Sequence, residues 1–374
     1  MKEILPFTRP TIDEATIADV VAVLRSGWIA SGPKVAELER ALAAYVGGQR
    51  HVKVMTSATG GLEMALKAVG VGPGHEVIVP AMTFAASANV VVRLGARPVF
   101  VDVALRSRNL SAESVAAVIT PRTRAVMPVH FAGLAVDMDP LNELARRHGL
   151  RVVEDAAHAI GTRYRGRAIG GFGDICCFSF HPNKNMTTIE GGALSYADDA
   201  LTLPLERERF HGIGKDAAGN IDVFDAGGKY NLTDVAAAVG VGQLRNLDGF
   251  NAVRRTLVAH YFTRLGPRLD PDMLPLPSDA GHSWHIFAVL VPLAALGITR
   301  DEFVARMRAA GIGVGIHYPS VPGLTYYRNL GNDPAAYPNA ARIGAETVTL
   351  PLFPAMTTSD VDRVCDALLA VLKL

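Results

Sequence analysis

Between residues 51 and 197 the chain repeats one pattern, a short apolar run followed by a segment of helical length, and this rhythm limits the fold more than any other feature. The runs are His51 to Met55, Glu76 to Pro80, Pro98 to Val103, Ala125 to His130, Arg151 to Glu154, Asp174 to Phe180 and Ala193 to Ala197. Several are continuously apolar (Val77-Ile78-Val79, Val99-Phe100-Val101, Val152-Val153) where a half-exposed strand would alternate, so they suit strands buried on both faces. The segments between them, such as Leu62 to Val69, Ala85 to Leu94 and Asp139 to His148, each close on a glycine, Gly70, Gly95 or Gly149. The fold class that follows is α/β, a mostly parallel central sheet with helices on both faces.

Beyond about residue 240 the pattern changes. A long helical stretch (Leu244 to Leu265) leads through a Pro-rich passage into a strand-like run, His285 to Val291. A helix is expected over Thr299 to Gly311, strands over Ile312 to His317 and Val348 to Leu352, and a final helix over Thr358 to Leu372. In that helix Val361, Val364, Cys365, Leu368 and Leu372 share one face. At roughly 150 residues per domain, 374 residues suggest a large domain over 1–243 and a smaller α+β domain over 244–374.

Composition removes several classes of function. Lys plus Arg number 37 against 36 Asp plus Glu, a net charge of +1 that offers no field to hold nucleic acid or an anionic membrane. The longest apolar stretch, Ile286 to Ile298, is broken by Pro292 and Gly297 and is too short to span a bilayer. Three cysteines make no disulfide framework, and with no apolar core near Met1 for a secretory signal the expected location is the cytoplasm. No Walker or G-x-G-x-x-G motif occurs, and His282 and His285 lack the spacing of a zinc site, so no metal is expected.

In doubly wound sheets ligands bind beyond the carboxyl ends of the strands, and four of these ends carry chemically pointed sequences. After Met55 comes Thr56-Ser57-Ala58-Thr59-Gly60-Gly61 and a helix, a cup of hydroxyls and free N–H groups suited to phosphate; alone, it is equally an N-cap with flexible glycines. After Val79 comes Met82-Thr83-Phe84, an aromatic ring able to stack or to pack in the core. After Val153 comes Glu154-Asp155-Ala156-Ala157-His158, a carboxylate and a histidine among small residues; singly, they read as a cap and a core histidine. After Phe178 comes Ser179-Phe180-His181-Pro182-Asn183-Lys184-Asn185, where desolvation would lower the lysine's pKa and make it an imine-forming nucleophile. Phosphate cup, stacking ring, carboxylate, histidine and lysine together are what pyridoxal 5'-phosphate requires.

With Ser26-Gly27-Trp28-Ile29-Ala30-Ser31-Gly32-Pro33, Lys229-Tyr230-Asn231-Leu232-Thr233-Asp234 and Leu350-Pro351-Leu352-Phe353-Pro354, these motifs resemble the DegT/StrS-type nucleotide-sugar aminotransferases of the type I aminotransferase fold, over nearly the whole chain. The resemblance implies a ping-pong transfer of an amino group from an amino acid, expected to be L-glutamate leaving as 2-oxoglutarate, to a nucleotide-linked keto sugar. It implies that Lys184 links the cofactor as a Schiff base and shuttles the proton. Asp155 would pair with the pyridine nitrogen, His158 would lie near the phenolic oxygen, Phe84 would stack on the ring, and Thr59, the Gly60 amide and Ser179 would hold the phosphate. Asn231 would reach that phosphate from a neighbouring subunit, making a homodimer with shared sites, although it also reads as an N-cap. His211, Lys229, His317 and Tyr318 take the positions of substrate contacts. The stretch Phe180-His181-Pro182 with Thr187-Thr188-Ile189-Glu190-Gly191-Gly192 resembles enzymes that aminate C4 of the sugar. A dehydratase branch of the family carries histidine in place of the lysine, which Lys184 opposes. A sensing module without turnover, of the kind sometimes fused to regulatory domains, is opposed by the presence of Lys184 and by the lack of a visible DNA-binding motif or extra domain.

Overall fold

The computed structural model describes residues 4–47, 49–278 and 281–374. Its centre is a seven-stranded sheet. Five strands arrive in chain order as β1 (His51–Met55), β2 (Glu76–Pro80), β3 (Arg97–Val101), β4 (Thr123–Val126) and β5 (Arg151–Asp155), followed by Ile175–Ser179 and Gly192–Tyr196. Across the sheet the order is β1, Gly192–Tyr196, Ile175–Ser179, β5, β4, β2, β3. The pairs from Ile175–Ser179 through β5, β4 and β2 to β3 are parallel, and Gly192–Tyr196 runs antiparallel to both of its neighbours. Reversing direction twice brings β1 back to the common orientation, so the last residues of β1, β2, β5 and Ile175–Ser179 share one edge.

Apolar side chains on both faces are buried, as the continuous runs require. Val77 and Val79 enter one layer with Leu62, Met64, Val90 and Val91, while Ile78 enters the other with Leu38, Leu42, Leu141 and Leu144. Helices α3 (Ala58–Ala68) and α4 (Ala86–Arg93) thus cover the first face, and α2 (Pro33–Val46, following α1, Glu14–Ser26) with Met138–His148 covers the second. Each fully buried Leu, Val or Ile contributes about 1.5–3 kcal/mol relative to exposure. A third apolar cluster gathers residues between Leu257 and Leu372, including the Val361, Val364, Cys365, Leu368 and Leu372 stripe. All three cysteines are buried free thiols, and no helix of the described residues is long and apolar enough to cross a membrane.

Two expectations beyond residue 230 need correction at the level of the elements. The long helix begins at Asp234, not Leu244, and runs unbroken to Leu265. Gly240 and Gly242 conceal its first turns in the sequence because glycine is a poor helix former. Here both are packing residues: a Cβ on Gly240 would lie 2.7 Å from Leu38 Cδ2 and one on Gly242 2.0 Å from Thr16 Oγ1, so α1 and α2 approach the helix backbone closely. The segment Ile312 to His317 is not a strand; it makes only isolated pairings, Ile312 with Leu5 and Gly315 with Thr349. Gly313 and Gly315 pass too close to Leu5 and Phe7 for side chains of their own to fit without displacement.

Candidate active site

At the shared strand edge lies a cavity of about 390 Å3. Ser57, Ala58 and Thr59 reach it from the end of β1, Thr83 and Phe84 from β2, Asp155, Ala157 and His158 from β5, and Ser179 and Lys184 from Ile175–Ser179 and its following loop. His317 and Tyr318 close it from the C-terminal part of the chain. Eight predicted site residues therefore meet in one place: Thr59, Phe84, Asp155, His158, Ser179, Lys184, His317 and Tyr318. Of the remaining four, Gly60 lies just behind the wall, with its N–H donating to Ser57 Oγ at 3.1 Å. Asn231, Lys229 and His211 sit outside on the surface, where Asn231 Nδ2 donates to Ser31 Oγ at 2.6 Å, Lys229 Nζ contacts Asn231 Oδ1, and Lys229 Nζ lies 4.6 Å from the centre of the Phe210 ring. The helix cap expected of Asn231 is supplied by Thr233, whose hydroxyl accepts from the Ala236 N–H.

The anion cup follows from the start of α3. The helix opens at Ala58, four residues before the expected Leu62, with Ser57 as its cap. Thr59 therefore stands in the first turn, where N–H groups have no partner within the helix and the macrodipole favours negative charge. Close approach to the sheet is possible because Gly192 has no side chain: a Cβ there would lie 2.6 Å from the Ala58 nitrogen.

Asp155 ends β5 and is 5% exposed. Its Oδ1 accepts from the Ala157 N–H at 3.1 Å and its Oδ2 from the Ser87 hydroxyl at 2.7 Å. Across the cavity, burial pulls the Lys184 pKa from 10.5 down to about 8, although Asp155 opposes the shift. A useful fraction of this amine is then neutral near pH 8, the state in which it attacks a carbonyl. The next residue, Asn185, is buried and pins the lysine loop: its Nδ2 donates to Asn251 Oδ1 at 2.7 Å and the Ser283 carbonyl at 2.8 Å, and its Oδ1 faces His285 Nδ1 at 3.1 Å.

His158 is held neutral, its pKa pushed down by burial and further by Lys184 and His317. Its Nδ1 accepts from the Ala132 N–H at 3.2 Å, which can only donate, so the ring's one proton is on Nε2. Nε2 lies 3.1 Å from the Tyr318 hydroxyl and donates to it, leaving the phenol proton to point elsewhere in the cavity. His317 is buried too, at a pKa of about 4 through burial and then Lys184, and is tied to Thr349 Oγ1 at 2.7 Å. Phe84 is 56% exposed at the mouth, with its ring centre 5.4 Å from that of Tyr318.

Sequence reasoning missed Ser87, Thr83, Asn185 and His285. Ser87 and Thr83 had one available signal, a spacing of four at the start of a helix, which puts them on one face beside Phe84. For His285 there is none, because a histidine at the start of a strand-like run reads equally as an ordinary core residue.

A lowered lysine amine opposite a hydrogen-bonded carboxylate, with an anion cup and an aromatic face between strand ends, can hold a phosphorylated heteroaromatic aldehyde and move protons beside it. Comparison with known proteins agrees. A model of the DegT/DnrJ/EryC1/StrS aminotransferase family matches residues 10–369. Among solved structures, DesV of S. venezuelae, in complex with a ketimine intermediate, is 34% identical with a TM-score of 0.88, covering 98% of each chain. Spr1654 of Streptococcus pneumoniae, named as a sugar aminotransferase and solved in its PMP form, is 32% identical with a TM-score of 0.91, over 99% of this chain and 98% of that one. PseC of Helicobacter pylori, an aminotransferase involved in the biosynthesis of pseudoaminic acid, is 25% identical with a TM-score of 0.92, over 99% of this chain and all of that one, at 100%.

Proposed function

The chain belongs to the DegT/DnrJ/EryC1/StrS aminotransferase family, and from that premise we propose that it is a pyridoxal 5'-phosphate-dependent sugar aminotransferase. It moves the amino group of an amino acid, L-glutamate, to the C4 keto carbon of a nucleotide-linked keto sugar in a ping-pong reaction. The observation that carries this reading is the half-buried Lys184 amine, its pKa lowered to about 8 by desolvation, sharing a cavity with the Asp155 carboxylate.

The residues present fit the cofactor: an aldehyde needs the amine, a pyridine nitrogen the carboxylate, a phosphate the α3 amides with the Thr59 and Ser179 hydroxyls, and a ring face Phe84. When bound, pyridoxal phosphate supplies an electron sink that acidifies the α-carbon of an attached amino acid. Lys184 Nζ would hold the aldehyde and, when free, would take the α-proton of the donor and return a proton in the second half-reaction. Asp155 would hold a proton on the ring nitrogen. The His158 Nε2–H fixes the Tyr318 hydroxyl, which with His317 faces the sugar. Asn231, Lys229 and His211, lying outside the cavity of their own subunit, reach the site of a neighbour in a homodimer. Lys229 pairs with Phe210, the neighbour of His211, and contacts Asn231, and that grouping supports this reading.

Incubation of purified protein with glutamate and a panel of nucleotide-linked keto sugars, with products identified by mass and NMR, tests the assignment. Formation of an amino sugar together with 2-oxoglutarate is the expected result. Loss of a hydroxyl without gain of nitrogen would assign a dehydratase.

A further inference from the structure

We propose that Ser87, backed by Thr83, is a positioning residue that fixes the Asp155 carboxylate against the ring nitrogen of the cofactor; this rests on the cofactor reading above. Ser87 is fully buried in the first turn of α4, and Thr83 is 1% exposed. Ser87 Oγ lies 2.7 Å from Asp155 Oδ2, 2.8 Å from Thr83 Oγ1 and 3.3 Å from the Phe84 carbonyl. A hydroxyl has one proton, and an ionised carboxylate can only accept, so the shortest contact assigns the Ser87 proton to Asp155. Thr83 Oγ1 then donates to Ser87 Oγ, and the chain of hydroxyls runs in one direction, Thr83 to Ser87 to Asp155.

The other carboxylate oxygen is occupied by the Ala157 N–H at 3.1 Å. One donor comes from the segment after β2 and the other from the segment after β5, so the carboxylate plane cannot rotate without breaking one of them. Each oxygen keeps a second lone pair. The remaining acceptor capacity faces the cavity that Asp155 lines. Phe84 belongs to the same five residues as Thr83 and Ser87. A single turn thus sets two contacts of the cofactor ring, its stacked face through Phe84 and its nitrogen through Ser87 and Asp155.

If the Ser87 donor is lost, the carboxylate holds the proton it shares with the ring nitrogen more tightly. The ring then carries less positive charge, withdraws electrons less and repels a proton on the lysine linkage less. The test is a pH titration of the visible absorbance of the lysine-linked cofactor in the holoenzyme, alongside kinetics and thermal melting. Ser87→Ala is expected to raise the absorbance midpoint by about half a pH unit or more. It should lower kcat roughly tenfold, with KM for the amino donor changed less than about twofold. Ser87→Thr should restore both. An Ala variant with lower melting temperature but an unmoved midpoint and a kcat within about twofold of wild type would overturn the proposal, because that is the behaviour of a merely structural hydroxyl. Should Ser87→Ala fail to fold, Thr83→Val decides: a rise in the midpoint supports the proposal, and an unmoved one overturns it. Wild-type protein without any visible cofactor band would fail at the earlier step, overturning the cofactor reading and this inference together.

Discussion

Burial of the Lys184 amine should destabilise the cofactor-free protein in a way that pH can isolate. The native pKa is about 8 and the ordinary value 10.5. At 1.36 kcal/mol per pH unit, the gap corresponds to about 3 kcal/mol against the charged form. Because the native state binds fewer protons than the unfolded chain between these values, stability rises with pH across this window. The full cost is present below about pH 8 and fades as pH approaches 10.5. Lys184→Met keeps the side-chain volume and removes the charge, so at pH 7 the cofactor-free variant should be the more stable protein by about 3 kcal/mol. An unfolding entropy of about 2.1 cal/mol/K per residue over 374 residues makes this a rise in Tm of about 4 °C. At pH 10 the advantage should shrink to under about 1 kcal/mol, roughly 1 °C. Differential scanning calorimetry of both cofactor-free proteins at the two pH values measures the effect. A variant that melts at or below the wild-type temperature at pH 7, or whose advantage persists unchanged at pH 10, would refute the claim that a desolvated amine sits at this position.

Asp155→Asn should retain bound cofactor yet lose about a hundredfold or more in turnover, since a neutral amide cannot keep the ring nitrogen protonated; stopped-flow absorbance checks the proton-abstraction step, and unchanged turnover would remove Asp155 from its role. Lys184→Ala and Asn231→Ala should each be inactive alone, while co-refolding them in equal amounts should restore about a quarter of the wild-type sites, because half of the dimers are mixed and each of these has one intact site. An activity no higher than either parent would place Asn231 outside a shared site. Arg254 is fully buried, its pKa drawn down to about 10 by burial, and its Nη1 donates to the carbonyls of His285 and Leu352, each at 2.9 Å. Arg254→Met should therefore lower stability by about 2–4 kcal/mol, measured by urea unfolding, since those carbonyls are left unpaired.

The central sheet was legible because burial on both faces leaves an unbroken apolar run, a signal carried within a few consecutive residues. The same holds for the residues delivered by strand ends. Once Val152-Val153 and Ile175 to Phe178 are read as neighbouring parallel strands, Asp155 and Lys184 must emerge at one edge, and the register of Asp155 beside Cys177 places them there. What stayed hidden depends on contacts between segments far apart in the chain. Helical glycines at 240 and 242 read as breaks until Leu38 and Thr16 are seen to occupy the space their side chains would need.

The lysine loop shows how far such concealment reaches into the chemistry. Lys184 is placed by its neighbour Asn185, whose partners Asn251, Ser283 and His285 lie 66 to 100 residues away. The His285 ring centre stands 4.3 Å from that of His158, itself bonded to Tyr318. No local pattern announces this web, since Asn, Ser and His at those positions are equally ordinary loop residues. Yet it decides whether the amine is held in a low-dielectric cavity or swings into water, and so whether its pKa is near 8 or near 10.5. The functional group could be picked from its own neighbourhood, whereas the device that makes it reactive is assembled from the second half of the chain. A substitution at Asn185 or His285 would therefore act on the lysine without touching the cofactor.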